Sequence, residues 1–438
     1  MKVAMVTPMS PDSAIADVML QTVLPLASHW QLDVWTPTEG ELRPCPVPVH
    51  RFEDTHPEVV AALERYDVVV HVLGDSPLHT RILPLAIAVP GLVVLHDASI
   101  TNLVRHTAID RGFLAELVRG VRAEHGPGAA EVLRTGAPED RPGGWMQFCA
   151  DVPLDGTVLE RSLGAVVHSD WHARRVDGRS LGDVTVARLP VPTNRTHTPA
   201  RDEASALLDT LKADDVLVVT VGSVNANRHI DEMLEATAGD ELLARRVRLW
   251  AIGAAEDDEA ARLRATADRL GLSDRFDITG RVTDGVLAAL LDRAHVGFAL
   301  RDPVLEGQSA SVLTQMEAGL PVVVYDHAHY SELPADAVVK VDPATGARGV
   351  AAALRRLVDE PDLRARLGAR ARAHVLEERT PEAYADALRE AASLAMAARP
   401  LLHVTSDVAA RLARLDLDTV PAVVDSVMDV LFELYDLA

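Results

Sequence analysis

Short unbroken runs of aliphatic residues recur along this chain, separated by stretches whose apolar positions have helical spacing. In the first half the runs are Val3-Ala4-Met5-Val6, Leu32-Asp33-Val34-Trp35, Asp67 to Val72, Gly91 to Leu95 and Gly164 to Val167. The second half continues with Val216 to Val221, Val247 to Ile252, Phe276-Asp277-Ile278, Val296 to Ala299 and Pro321 to Tyr325. A strand buried on both faces reads as a continuous apolar run, which is the habit of parallel sheet. Segments such as Ile230 to Thr237 and Asp257 to Leu270 read as helices between them. Strand–helix alternation that happens twice predicts an α/β chain of two doubly wound domains.

The pattern breaks over residues 189–204, LPVPTNRTHTPARDEA, where three prolines and polar residues show no periodicity. The expected organisation is a first domain over 1–190, a linker over 191–212, a second domain over 213–380 and C-terminal helices over 381–438. The end of the chain, from Ser406, predicts two amphipathic helices around Asp416 to Val420. They read as a packing element and as a candidate homodimer contact. A length of 438 residues suits two cores rather than one.

Charge narrows the partners. A net charge of −22 argues against nucleic acid and against docking on anionic lipid, both of which need clustered basic residues. A local basic pocket for one phosphorylated ligand remains compatible with it. Cys45 and Cys149 are too few for a disulfide framework or a zinc site, which points to a reducing compartment. No run reaches the ~18 apolar residues of a transmembrane helix. MKVAMVTPMS reads as a first strand rather than a signal peptide, so the expected location is cytoplasmic and the sequon at Asn194 carries no meaning.

In open parallel sheets, ligands bind beyond the carboxyl ends of the strands, so the chemistry is sought in those loops. After the run ending at Val221 comes Gly222-Ser223-Val224-Asn225-Ala226-Asn227-Arg228. A strand-end glycine, asparagines and an arginine at a helix start suit a diphosphate, because a guanidinium forks onto phosphate oxygens. A solvated arginine in a turn is the equal alternative. In RDPVLEGQSASVLTQMEAGLPVVV, residues 301–324, Glu306, Gly307, Gln308 and Ser309 open a helix whose core face is Val312, Leu313 and Met316. Free amides at a helix start bind anions and hydroxyls, and Glu306 can accept from sugar hydroxyls. Read locally, a helix merely capped by Ser309 or Ser311 is the commoner meaning. His96-Asp97 follows a strand run, and Asp75 to His79 lie in another strand-end loop. Both face the expected cleft, so Asp75, His79, His96 and Asp97 are candidates for holding an acceptor. His168-Ser169-Asp170 repeats the His-Asp theme, with Ser169 or Asp170 read as a helix cap. The histidines show no metal spacing, and Asp326-His327-Ala328-His329 reads as surface.

These segments together resemble the GT-B glycosyltransferases, and within them the large retaining group called family 4 (glycosyltransferase group 1). TVGSVNANRHIDEMLEA is similar to the family's strand–glycine–loop–basic–helix unit. FDITGRVTDGVLAALLDRAHVGFAL and RDPVLEGQSASVLTQMEAGLPVVVYDHAHYSELP are similar to the strands and donor loop that follow. VVLHDASI resembles a segment lining the acceptor side, and VVHSDWHARRV the strand–Ser–helix unit before the linker. The resemblance implies two Rossmann-like domains facing a cleft, the first on the acceptor side and the second holding a nucleotide sugar. It implies transfer of a hexosyl group from a nucleoside-diphosphate sugar to a hydroxyl acceptor, such as a saccharide, natural product or small metabolite. Configuration would be retained, with no cofactor and no metal. Catalytic roles fall on His96, Arg228 and Glu306. Donor contacts fall on Gly222, Ser223, Asn227, Arg228, Glu306, Gly307, Gln308, Ser309 and Thr314.

Two positions depart from the family. A second glutamate is common where Thr314 stands, and Ala14 replaces a glycine in the turn Pro11 to Ala16. They keep a second reading open, a non-catalytic sugar-nucleotide-binding protein or partner subunit. Phosphorolysis with pyridoxal phosphate fits poorly, since the chain has three lysines, Lys2, Lys212 and Lys340, none in a cleft loop.

Overall fold

The computed structural model describes all residues except 12, 138–143, 192–199, 416–419, 421, 425, 428–429 and 431–438, and the side chains of 403 and 406. Residues 192–199 of the expected linker, with the sequon at Asn194, and residues 416–419 therefore lie outside the described residues, while the later part of that linker carries the helix Arg201–Leu208.

Two all-parallel sheets form. The first contains β1 (Lys2–Val6), β2 (Gln31–Thr36), β3 (Val49–Arg51), β4 (Val68–Leu73), β5 (Leu92–Leu95), β6 (Gly164–Val167) and β7 (Val184–Val186), in the order β3-β2-β1-β4-β5-β6-β7. The second contains β8 (Val216–Val221), β9 (Val247–Ile252), β10 (Phe276–Gly280), β11 (Val296–Ala299), β12 (Val322–Tyr325) and β13 (Val338–Val341), in the order β10-β9-β8-β11-β12-β13. Each order reverses beside the first strand of its sheet, at β1/β4 and at β8/β11. Helices cover both faces, so the central strands are mostly apolar: all six residues of β4, VVVHVL, are buried. His71 within it is tolerated because burial lowers its pKa to about 4, leaving it neutral, and its Nε2 donates to the Val89 carbonyl at 2.8 Å.

Three edge strands lie outside the runs read from sequence. β3 exposes two of its three residues, β7 buries none of its three fully, and β13 buries only its ends. These three carry no long apolar run to betray them, whereas the fourth edge strand, β10, is read at Phe276-Asp277-Ile278.

The helix Pro381–Arg414 leaves the second half and packs on the helix Ala14–Ala27 and along β6 and β7 of the first sheet. Tyr384, Leu388, Ala391 and Ala395 join a single apolar cluster that also holds Met5, Met19 and Val94 of the first half and Val312, Met316 and Val324 of the second. One core thus runs through both halves.

Candidate active site

β8 ends at Val221, and Gly222 adopts φ 108°, a left-handed conformation that turns the chain sharply. A short 3-10 turn, Ala226–Arg228, then leads into the helix Ile230–Ala238. This turn folds Arg228 back beneath the strand end. Its Nε donates to the Ser223 carbonyl at 2.5 Å and its Nη1 to the Thr220 hydroxyl at 3.3 Å. A Cβ on Gly222 would sit 2.3 Å from Nη2, so only glycine leaves room for the guanidinium.

Arg228 is 4% exposed and forms no ion pair among the described residues. Burial, and then the charge of Arg301, bring its pKa down to about 9, so it stays cationic at neutral pH. A buried cation without a carboxylate is costly unless an anion joins it.

Arg301 is the residue that the sequence reading left without a role. Its Nη1 donates to the Asn227 side-chain oxygen at 2.6 Å, and its Nε stands 3.6 Å from Glu306 Oε1. Asn227 also donates to the Pro303 carbonyl at 3.2 Å, which makes it a brace for the loop that carries Glu306. Glu306 accepts from the Tyr330 hydroxyl at 2.8 Å and lies 3.9 Å from His329 Nε2. Burial would raise its carboxyl, but Arg301, His329 and Tyr330 outweigh that and hold it well below the usual range. The Arg301 guanidinium thus stands between Asn227 and Glu306. His329, expected on the surface, is 2% exposed because it closes this cluster.

Across the cleft, β5 delivers His96 and Asp97. The two halves meet here through backbone: Gly307 N–H donates to the His96 carbonyl at 2.8 Å and Ala98 N–H to the Leu305 carbonyl at 2.7 Å, with Asp97 opposite Glu306. The Gly307 carbonyl accepts from the Ser169 hydroxyl at 2.7 Å. Ser169 also caps the helix Asp170–Val176, as expected, by accepting from His172 N–H at 3.1 Å. Glu332 of the second half sits at that same helix start. It accepts from the backbone N–H groups of Asp170 at 3.1 Å and Trp171 at 2.5 Å, and from Arg188 at 2.7 Å.

The Gln308 side-chain oxygen accepts from Leu189 N–H at 3.0 Å and Arg379 at 2.9 Å, tying together the segments that cross between the two sheets. Ser309 starts the helix Ala310–Glu317 without a side-chain capping bond, its hydroxyl 3.1 Å from that of Ser311. Thr314 is half-buried on that helix, and Ser223 is exposed. The Asp75 carboxylate accepts from Leu103 N–H at 2.8 Å and Asn102 at 2.7 Å, so it serves the helix Thr101–Asp110. His79 is buried, with Nδ1 on the Val72 carbonyl at 3.0 Å, and burial lowers its pKa to about 4. Asp97 accepts from Asp75 N–H at 2.7 Å, and burial raises its carboxyl to about 7. His96 is 8% exposed, and burial followed by its histidine neighbours holds it well below its usual value. Among the described residues there is no group of three metal-ligating side chains, and no helix is long and apolar enough to cross a membrane.

Residues 209–374 match the family described as glycosyl transferases group 1. No curated protein sequence matches the chain. Among solved structures, HepE from Anabaena in complex with UDP-glucose is 14% identical, with 90% of this chain and 99% of that chain covered and a TM-score of 0.61. Sucrose-phosphate synthase from Thermosynechococcus elongatus is 15% identical, covering 89% and 97% at a TM-score of 0.59. WaaG, a glycosyltransferase involved in lipopolysaccharide biosynthesis, is 16% identical, covering 88% and 98% at 0.54. At these identities the likeness is one of fold, the two-domain GT-B architecture.

Proposed function

From a chain whose residues 209–374 belong to the group 1 glycosyl transferases and whose two sheets have the GT-B architecture, we propose a retaining transfer of a sugar from a nucleoside diphosphate to a hydroxyl acceptor. The observation that carries it is Arg228: a buried guanidinium at a strand end, beside a second one, with no carboxylate of its own. A diphosphate supplies the missing charge. UDP is the first base to try, because HepE and a trehalose-6-phosphate protein from E. coli of similar fold are described with UDP-glucose and UDP-2-fluoro glucose.

In the transfer, the bond from the anomeric carbon to the phosphate oxygen breaks and a bond to the acceptor oxygen forms. The acceptor's proton passes to the leaving phosphate, so no protein base is required. Negative charge grows on the diphosphate, where Arg228 and Arg301 stabilise it in a site shielded from water. Glu306, kept ionised by Arg301, His329 and Tyr330, accepts from sugar hydroxyls. Donor entry requires the Gly307–His96 bridge to part, since the amide that would meet the sugar is engaged there. We place the protein in the cytoplasm and its acceptor among soluble molecules.

That same engaged amide, with Thr314 at the second glutamate position, favours one competing reading: a sugar-nucleotide-binding partner without turnover. Release of nucleoside diphosphate from UDP-, GDP-, ADP- and dTDP-sugars separates the two. Transfer predicts release from one donor class, lowered on the order of 10²-fold by Arg228→Ala. A folded protein that releases nothing from any donor supports the competing reading.

A further inference from the structure

The tautomer of His96 is dictated by a chain of bonds that ends on a backbone carbonyl. His168 lies at the end of β6, wholly buried, with Nδ1 2.9 Å from the Ala187 carbonyl oxygen. A carbonyl only accepts, so Nδ1 of His168 carries the hydrogen. Burial lowers the His168 pKa to about 4, so the ring is neutral near pH 7 and its Nε2 is a bare acceptor. That Nε2 is 3.1 Å from His96 Nδ1, which must therefore donate. The rings lie 4.4 Å apart, and Tyr384 of the returning helix packs 5.8 Å from His168 on another side. His96 is neutral as well, so its single hydrogen is spent on His168. Its Nε2 is buried and has no partner among the described residues.

We infer that His168 is a positioning residue that locks His96 in the Nδ1–H tautomer, so that His96 offers Nε2 only as an acceptor, for a hydroxyl of the sugar or of its acceptor. The assignment of a sugar hydroxyl rests on the function proposed above; the tautomer does not. A neutral nitrogen that cannot donate selects an O–H group over a phosphate or carboxylate oxygen, which has no hydrogen to give. The negative ligand groups are left to Arg228 and Arg301, and the two sides of the cleft divide the labour by charge.

Long-range proton–nitrogen correlation on protein labelled at its histidine nitrogens tests this directly, with His96 assigned by its loss in His96→Gln. The expected spectrum shows a protonated Nδ1 and a bare Nε2 at His96. His168→Leu removes the acceptor and should lose the bare Nε2 signature, giving a mixture of tautomers. His168→Gln can donate to Ala187 and accept from His96, and should restore the wild-type pattern even if the Leu variant fails to fold. A proton on Nε2 of wild-type His96, or a His96 pattern unmoved by His168→Leu, or a mixed pattern in His168→Gln, overturns the inference. None of these outcomes depends on turnover, so nucleoside diphosphate release tests the function separately.

Discussion

At the scale of single residues, position at a strand end was the readable signal. Arg228 and Glu306 stand out in the sequence because each follows an apolar run and precedes a helix. Their partners do not, because Arg301, Tyr330 and His329 acquire meaning only when the loop folds back on itself. Gln308 shows the converse: its place beside Glu306 suggested the donor, yet its side chain reaches the crossing segments at Leu189 and Arg379. Asp97 yields a test in pH. Its folded carboxyl is raised from 3.8 to about 7, so the folded state holds the proton more tightly than the unfolded chain. Its favourable contribution is therefore complete below pH 3.8 and lost as pH rises through about 7. Denaturant midpoints of wild type and Asp97→Asn should diverge over that interval, with the variant gaining relative stability at the alkaline end. A constant difference would show that Asp97 titrates normally.

At the scale of elements, the buried strands were legible and three of the four edge strands were not, for the same reason. β4 and β8 sit between covered faces and are apolar but for His71 and Thr220, whereas β3, β7 and β13 are short and half-wet. The start of the helix Asp170–Val176 was legible as a cap, since serine before a helix is a strong signal. That a carboxylate from the other half of the chain reaches the same helix start was not. Glu332 there meets two backbone N–H groups, the positive end of the helix and Arg188 together. Glu332→Ala should cost about 1–3 kcal/mol in chemical denaturation and speed amide exchange at Gly307 and Ala98. Unchanged exchange at both amides would show that Glu332 does not hold the halves together.

For the whole molecule, the twofold strand–helix alternation announced two sheets, but not how they meet. The shared apolar cluster and the backbone bridge at His96 to Ala98 are tertiary outcomes of distant segments. Gly307 is the narrowest point: an added Cβ would stand 2.6 Å from His172 Nδ1 and 3.0 Å from the His96 carbonyl. Gly307→Ala should therefore force the halves apart, seen as a larger radius of gyration in small-angle scattering; an unchanged radius would mean the bridge yields locally. We propose that Arg228, buried and with the charge of Arg301 acting on it, awaits a diphosphate. Calorimetric titration of UDP, GDP, ADP and dTDP into wild type, Arg228→Ala and Gly222→Ala tests it most directly. Selective binding of one nucleotide is expected, weakened by ~1.5–3 kcal/mol in Arg228→Ala and comparably in Gly222→Ala, whose Cβ would displace Arg228. Binding that is indifferent to both substitutions, or no binding of any nucleotide by the folded protein, would contradict it.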